Sequence, residues 1–130
     1  MATRRSFIKK STVAFSAPLI TPKSDLFSIF KSSPLNQLNI GIIGTGDRGQ
    51  GLIKLISKIG GMRLIAICDN LQFRLDQAAK IAPKAIKYSN YKELLSNKNL
   101  DAVIISTPLN THASIASDAV DASLHIYCEK

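Results

Sequence analysis

From residue 38 onward, short apolar runs alternate with stretches in which apolar residues recur at helical spacing. The run at residues 38–43, LNIGII, predicts a first strand, and a helix follows over about residues 47–59, with Leu52, Leu55, Ile56 and Ile59 on one face and Gly60-Gly61 as its stop. A second strand at residues 62–68 leads to a helix over about residues 71–82. Leu71, Leu75, Ala78, Ala79 and Ala82 give that helix its apolar stripe, and Pro83 ends it. A weaker strand near residues 85–88, a short helix near 91–96, a fourth strand at 101–106, a helix over about 111–122 and a strand over about 124–128 complete the series. Ala102-Val103-Ile104-Ile105 is apolar without alternation, which predicts a strand buried on both faces. Strands alternating with helices define the α/β class and an open, doubly wound parallel sheet with order 3-2-1-4-5. No internal repeat or low-complexity tract interrupts it.

The junction of the first strand and first helix carries the strongest chemical signal, Gly44-Thr45-Gly46-Asp47-Arg48-Gly49. A GxGxxG turn in this position is the dinucleotide-binding fingerprint of a Rossmann-type sheet. Its first glycine permits the tight turn, its second lets the backbone approach a pyrophosphate, and its third lets the helix pack closely on the sheet. Asp69 closes the second strand at the spacing where a carboxylate accepts hydrogen bonds from an adenosine ribose. A 2′-phosphate there would meet a like charge, which favours NAD, although Asn70 and Arg74 leave NADP open. Asp47 places an unhelpful charge beside the pyrophosphate, which Arg48 is expected to offset.

Charge separates the two ends of the chain. Residues 1–37 hold six Lys or Arg against one acidic residue, whereas residues 38–130 hold eleven against eight, so the predicted folded part is only mildly basic. Its aromatics Phe73, Tyr88, Tyr91 and Tyr127 do not interleave with a basic face, which argues against nucleic acid as a partner. The N-terminal excess comes from Arg4-Arg5-Ser6-Phe7-Ile8-Lys9-Lys10 followed by a weakly apolar run, residues 11–20, and this resembles a twin-arginine export signal. The run contains Thr12, Ser16 and Pro18, and Ala14-Phe15-Ser16 is a poor cleavage site, so a disordered basic leader on a cytoplasmic protein is the alternative. A stable membrane anchor is not expected, since a span takes about 20 apolar residues. Residues 21–37, rich in Ser, Pro and Lys, read as a linker, which leaves residues 38–130 as one domain. Cys68 and Cys128 fall on strands three spacings apart, about 14 Å, too far for a disulfide. Both are read as small buried residues, and neither has a metal-ligand neighbour.

Two further segments emerge at the carboxyl ends of strands, Ser106-Thr107-Pro108-Leu109-Asn110-Thr111-His112 and Glu129-Lys130. Ligands bind at that edge of open α/β sheets. Ser106, Thr107 and Pro108 suit the lining of a nicotinamide ribose, Asn110 or Thr111 suits a helix cap, and Lys130 is a cationic proton donor or acceptor. Each residue also has an ordinary reading in a turn, a helix start or at a solvated end.

Taken together, GxGxxG, the strand ending Cys68-Asp69, the TPxxxH segment from Thr107 to His112 and the final Cys128-Glu129-Lys130 closely resemble the glucose-fructose oxidoreductase, inositol dehydrogenase and MocA family. The resemblance covers residues 38–130. It implies a Rossmann domain followed by an α/β domain that supplies most substrate contacts and usually the oligomer interface, so a homo-oligomer is expected of a complete member. It implies hydride transfer between NAD or NADP and hydroxyl or carbonyl groups of sugars or cyclitols. A Glu-Lys-Pro motif follows the fifth strand in that family, and its lysine lies beside nicotinamide and substrate; Glu129 and Lys130 match its first two positions. The implied cofactor-binding set is therefore the six residues from Gly44 to Gly49, with Asp69, Ser106, Thr107, Pro108, Asn110, His112 and Glu129, and Lys130 is the implied catalytic residue. The second domain is expected to be absent from these 130 residues, so the chain is expected to bind a dinucleotide and to be incomplete for catalysis. Some exported relatives use retained NAD to hydrolyse glycosides, which is a second enzymatic expectation, and a non-catalytic dinucleotide module is a third.

Overall fold

The computed structural model describes residues 37–130. The proposed export signal and most of the linker lie outside the described residues. In chain order the elements are β1 (Leu38–Ile43), α1 (Asp47–Ile56), β2 (Met62–Cys68), α2 (Gln72–Ile81), β3 (Ile86–Tyr88), α3 (Tyr91–Leu95), β4 (Ala102–Ile105), α4 (Leu109–Asp121) and β5 (His125–Cys128). The five strands form one parallel sheet of order β3-β2-β1-β4-β5, as the alternation of runs predicts.

Register aligns the carboxyl ends of all five strands. Ile43 pairs with both Cys68 and Ile105, Cys68 with Tyr88, and Ile105 with Cys128. The next residue of each strand therefore stands in one row: Ser89, Asp69, Gly44, Ser106 and Glu129. Backbone hydrogen bonds carry the ladder into that row, from Asp69 N to Tyr88 O (3.2 Å), Gly44 N to Cys68 O (2.8 Å), Ser106 N to Ile43 O (2.8 Å) and Glu129 N to Ile105 O (2.9 Å).

Each face of the sheet has its own core. On one, Leu52, Ile53 and Ile56 of α1 and Leu75 and Ala78 of α2 bury Ile40, Ile42 and Ile67. On the other, Leu94 and Leu95 of α3, Leu100, and Ile115 and Ala119 of α4 bury Ile43, Ala66, Cys68, Val103 and Ile105. Helices on both faces make the fold a doubly wound α/β sheet of Rossmann type.

Three local expectations need correction. The first helix ends at Ile56, not near Ile59, and Leu55 and Ile59 are exposed. Beyond it, Lys58 N and Ile59 N bond to Leu55 O and Ile56 O in tight turns, and Gly61 at φ +83° reverses the chain into β2. The fourth strand is fully buried only through Val103 and Ile105; Ala102 and Ile104 are half-buried, because the helices of their face stand over β1 and β2. Cys128 is exposed, not buried, because β5 is an edge strand, while Cys68 lies in the core; both thiols are free. Among the described residues no helix is long and apolar enough to cross a membrane.

Candidate functional site

The turn after β1 is built on two glycines that no other residue could replace without movement. Gly44 has φ +95°, and a Cβ there would lie 2.5 Å from Ser106 O and 2.8 Å from Thr107 N. A Cβ on Gly49 would overlap the carbonyl oxygen of Gly44, so α1 rests directly on the turn. Gly46 differs: its φ is −65°, and the nearest group to an added Cβ is the Arg74 guanidinium at 3.7 Å. The space above Gly46 belongs to the cleft, as expected of a backbone that a phosphate must approach.

Gly46 caps α1, and no side chain occupies the cap. The first amides of a helix lack intrahelical partners and carry the positive end of its dipole, so this end of α1 suits an anion. Arg48 does not turn to Asp47. Its Nη2 reaches Glu129 Oε1, 2.7 Å away across the row of strand ends.

Asp69 and Thr45 form a buried pair beneath the turn. Asp69 Oδ2 accepts from Thr45 N (2.8 Å) and from Thr45 Oγ1 (3.2 Å), and Oδ1 accepts from Leu71 N (3.0 Å). Asp69 is 6% exposed and Thr45 fully enclosed. Thr45, expected to touch cofactor, instead spends its amide and hydroxyl on holding the turn. Asp69 keeps acceptor capacity, since a carboxylate has about four lone-pair sites, and it still lines the cleft.

That cleft runs along the row of strand ends with a volume of about 730 Å³, inside the range of about 300 to 1,000 Å³ for small-molecule sites. Gly44, Gly46, Asp69, Ser106, Thr107, Pro108 and Asn110 line it, seven of the residues singled out from sequence. Asn70 and Arg74 join them, with Ser89, Asn90, Tyr91 and Thr111, among others. The segment after β3 was the missed wall. The Asn90 side chain caps α3 by accepting from Lys92 N (2.9 Å), an asparagine-before-helix signal visible in sequence. Ser106 Oγ is buried without a hydrogen-bond partner. A buried hydroxyl in a cleft wall is costly unless something fills its bonding capacity, and a polar ligand would.

The helix after Ser106 begins earlier than expected. Pro108 is the cap of α4, and Asn110 and Thr111 lie inside its first turn, so neither is the cap. Thr111 Oγ1 donates back to Pro108 O (2.8 Å) and shares a hydrogen bond with the Thr107 hydroxyl (2.8 Å). His112 Nε2 stands 2.7 Å from Thr107 O. A carbonyl only accepts, so Nε2 carries the hydrogen and the imidazole pins the cleft wall from behind. Glu129, expected at the cofactor, is taken up by Arg48 and by Tyr127 Oη, which donates to it at 3.2 Å. Hydrogen bonding to Arg48 holds the Glu129 carboxyl below its ordinary range, and the same contact raises the Arg48 guanidinium. Lys130 is exposed, two residues past β5. Asp47 and Arg48 are exposed at the start of α1.

Sheet, turn and cleft define a dinucleotide-binding domain. Residues 38–130 match the oxidoreductase family with an NAD-binding Rossmann fold, the glucose-fructose oxidoreductase, inositol dehydrogenase and MocA group. The chain belongs to that family, whose Rossmann fold is NAD-binding. Among curated proteins it is 33% identical over 104 residues to a glycosyl hydrolase family 109 protein of Shewanella pealeana, covering 73% of this chain and 23% of that one. It is 31% identical over 149 aligned positions to glycosyl hydrolase family 109 protein 2 of Shewanella sp. strain ANA-3, covering 97% of this chain and 33% of that one. Among solved structures it superposes on myo-inositol dehydrogenase of Lactobacillus casei, in complex with NAD(H) and myo-inositol, with a TM-score of 0.68 and 26% identity over 72% of this chain and 28% of that chain. The chain thus spans about a quarter to a third of the length of these relatives.

Proposed function

We propose that this chain is the cofactor-binding part of an exported NAD-dependent oxidoreductase that acts on hydroxyl groups of sugars or cyclitols. The observation that carries the reading is the aligned row of strand ends, which sets Glu129 and then Lys130 on the same sheet edge as Gly44 and Ser106. Bound NAD supplies the hydride acceptor or donor. The first turn of α1 and the backbone at Gly46 hold the pyrophosphate, and the free acceptor sites of Asp69 take ribose hydroxyls. Ser106 and Thr107 line the nicotinamide end. Lys130 holds or releases a proton at the reacting oxygen, a role that needs burial or positive neighbours to lower its pKa once substrate is enclosed.

Export before function is proposed from Arg4, Arg5, Phe7, Ile8 and Lys9, whose order fits transport of a protein already folded around its cofactor. A second reading draws on the Shewanella relatives, which are named as glycosyl hydrolases. There retained NAD would supply a reversible hydride acceptor: the sugar is oxidised, the glycosidic oxygen leaves by elimination, water adds in its place and the hydride returns, so that no cofactor is consumed.

One experiment separates the two. The protein is captured from periplasmic and cytoplasmic fractions of its source, and NAD is assayed in the denatured supernatant. It is then incubated with sugars and inositols plus free NAD, and separately with aryl glycosides without added NAD. Accumulation of reduced cofactor in the first incubation supports the dehydrogenase. Glycoside cleavage on retained NAD supports the hydrolase, and neither activity in a form carrying NAD would overturn both.

A further inference from the structure

The carboxyl edge of the sheet carries an ion pair that the fold does not need for its core. Arg48 is the second residue of α1, and Glu129 follows β5, 81 positions later. The Arg48 side chain is 66% exposed, while that of Glu129 is only 11% exposed and also accepts from Tyr127 Oη. The pair therefore joins two pieces of chain that the sheet alone holds two strands apart, the phosphate-binding turn and the segment that carries Lys130. The β5 edge has a single neighbour, β4, and its last backbone tie is the bond from Glu129 N to Ile105 O. Beyond that bond, the Arg48 contact is the tether nearest to Lys130.

We infer that the Arg48–Glu129 ion pair fastens the Lys130 segment to the dinucleotide-binding turn, making Arg48 and Glu129 positioning residues for Lys130 rather than cofactor ligands. The inference rests on the proposed role of Lys130. A guanidinium spent on Glu129 is not spent on the pyrophosphate, which also accounts for an arginine in the fingerprint that does not line the cleft. Positioning matters because a reacting group misplaced by about 1 Å loses much of its rate advantage.

The test compares Arg48→Met, Glu129→Gln and the exchanged pair Arg48→Glu with Glu129→Arg in the 130-residue chain. Amide hydrogen exchange at residue 129 is measured first, without nucleotide. Breaking the pair from either side should speed exchange roughly two- to fivefold, the range expected when a surface ion pair is lost, and the exchanged pair should restore it. Lys130 is then acylated with and without NADH, and its modification is followed by peptide mass spectrometry. NADH should shield Lys130 in the wild type and shield it much less in both single variants. A bare charge effect on cofactor affinity would instead move the two variants in opposite directions, because one removes a cation and the other an anion. Unchanged exchange in both variants would overturn the tether. If exchange responds but NADH fails to shield wild-type Lys130, the proposed role of Lys130 falls and the tether is reduced to a structural contact.

Discussion

Adding one methyl group at three glycines should give three different results, and Gly49 is the most demanding of them. A Cβ on Gly49 overlaps the Gly44 carbonyl oxygen, which is backbone and cannot swing aside as a side chain would. To accommodate it, α1 must lift from the turn by about an ångström, disturbing the packing of Leu52, Ile53 and Ile56. Overpacking of this kind costs about 1 to 3 kcal/mol, and the better helix propensity of alanine returns at most about 1 kcal/mol. Gly49→Ala should therefore lose about 1 to 2 kcal/mol, a drop of roughly 5 to 15 °C in Tm for a domain this size. Gly51→Ala, in the same helix with no atom within 4 Å of the added Cβ, should gain up to about 1 kcal/mol. Gly46→Ala should change stability little, yet weaken NADH binding at least about tenfold, because its methyl enters the cleft where the pyrophosphate must approach. Urea unfolding followed by circular dichroism, with NADH fluorescence titration, reads all three. If Gly49→Ala were as stable as Gly51→Ala, the contact between helix and turn would not have the role given to it.

Asp69→Asn replaces one acceptor oxygen by a donor facing Thr45 N or Leu71 N; it should cost about 1 to 3 kcal/mol in urea unfolding and weaken NADH binding together. Thr45→Val keeps the shape and removes one hydroxyl hydrogen bond, so its cost in the same assay should be smaller, about 1 kcal/mol. Burial pushes the Cys68 thiol up to about 12 from 9.0, with Asp69 adding to the shift. The folded chain therefore keeps a proton that the unfolded chain releases above pH 9, so this group's contribution is intact below pH 9 and is lost as pH rises toward 12, by about 1.4 kcal/mol per pH unit. Cys68→Ala should remove that component from the pH dependence of unfolding between pH 9 and 11. In native protein near pH 8, iodoacetamide should label Cys128 and spare Cys68, as read by peptide mass spectrometry.

The sheet and its order could be read from sequence because its signals are local. Short, mainly apolar runs mark β1, β2 and β4, and Gly44 and Gly49 stand where the turn geometry requires them. The errors arose where tertiary context decides. Leu55 and Ile59 fit the helical stripe in spacing, but Leu55 faces solvent and the helix stops at Ile56, which leaves Ile59 exposed in the turns beyond it. Cys128 has the same neighbours in sequence as a buried strand residue and is exposed only because β5 lies at the edge. The site divides in the same way. Residues that line the cleft through backbone or loop position, such as Gly46, Ser106 and Pro108, were legible. For Thr45, His112, Arg48 and Glu129, motif position says where a residue lies and not which protein partner its side chain takes. Their partners, Asp69, the Thr107 carbonyl and each other, are supplied by the fold.

The most direct test of the central claim is an NADH titration of the isotopically labelled 130-residue chain, following amide chemical shifts residue by residue. Saturable shifts concentrated at Gly44, Gly46, Asp69, Ser106, Thr107 and Asn90, and abolished in Gly46→Ala, are the predicted result. Absence of binding by a chain that shows the dispersed spectrum of a folded sheet, or shifts confined to the opposite edge of the strands, would contradict it.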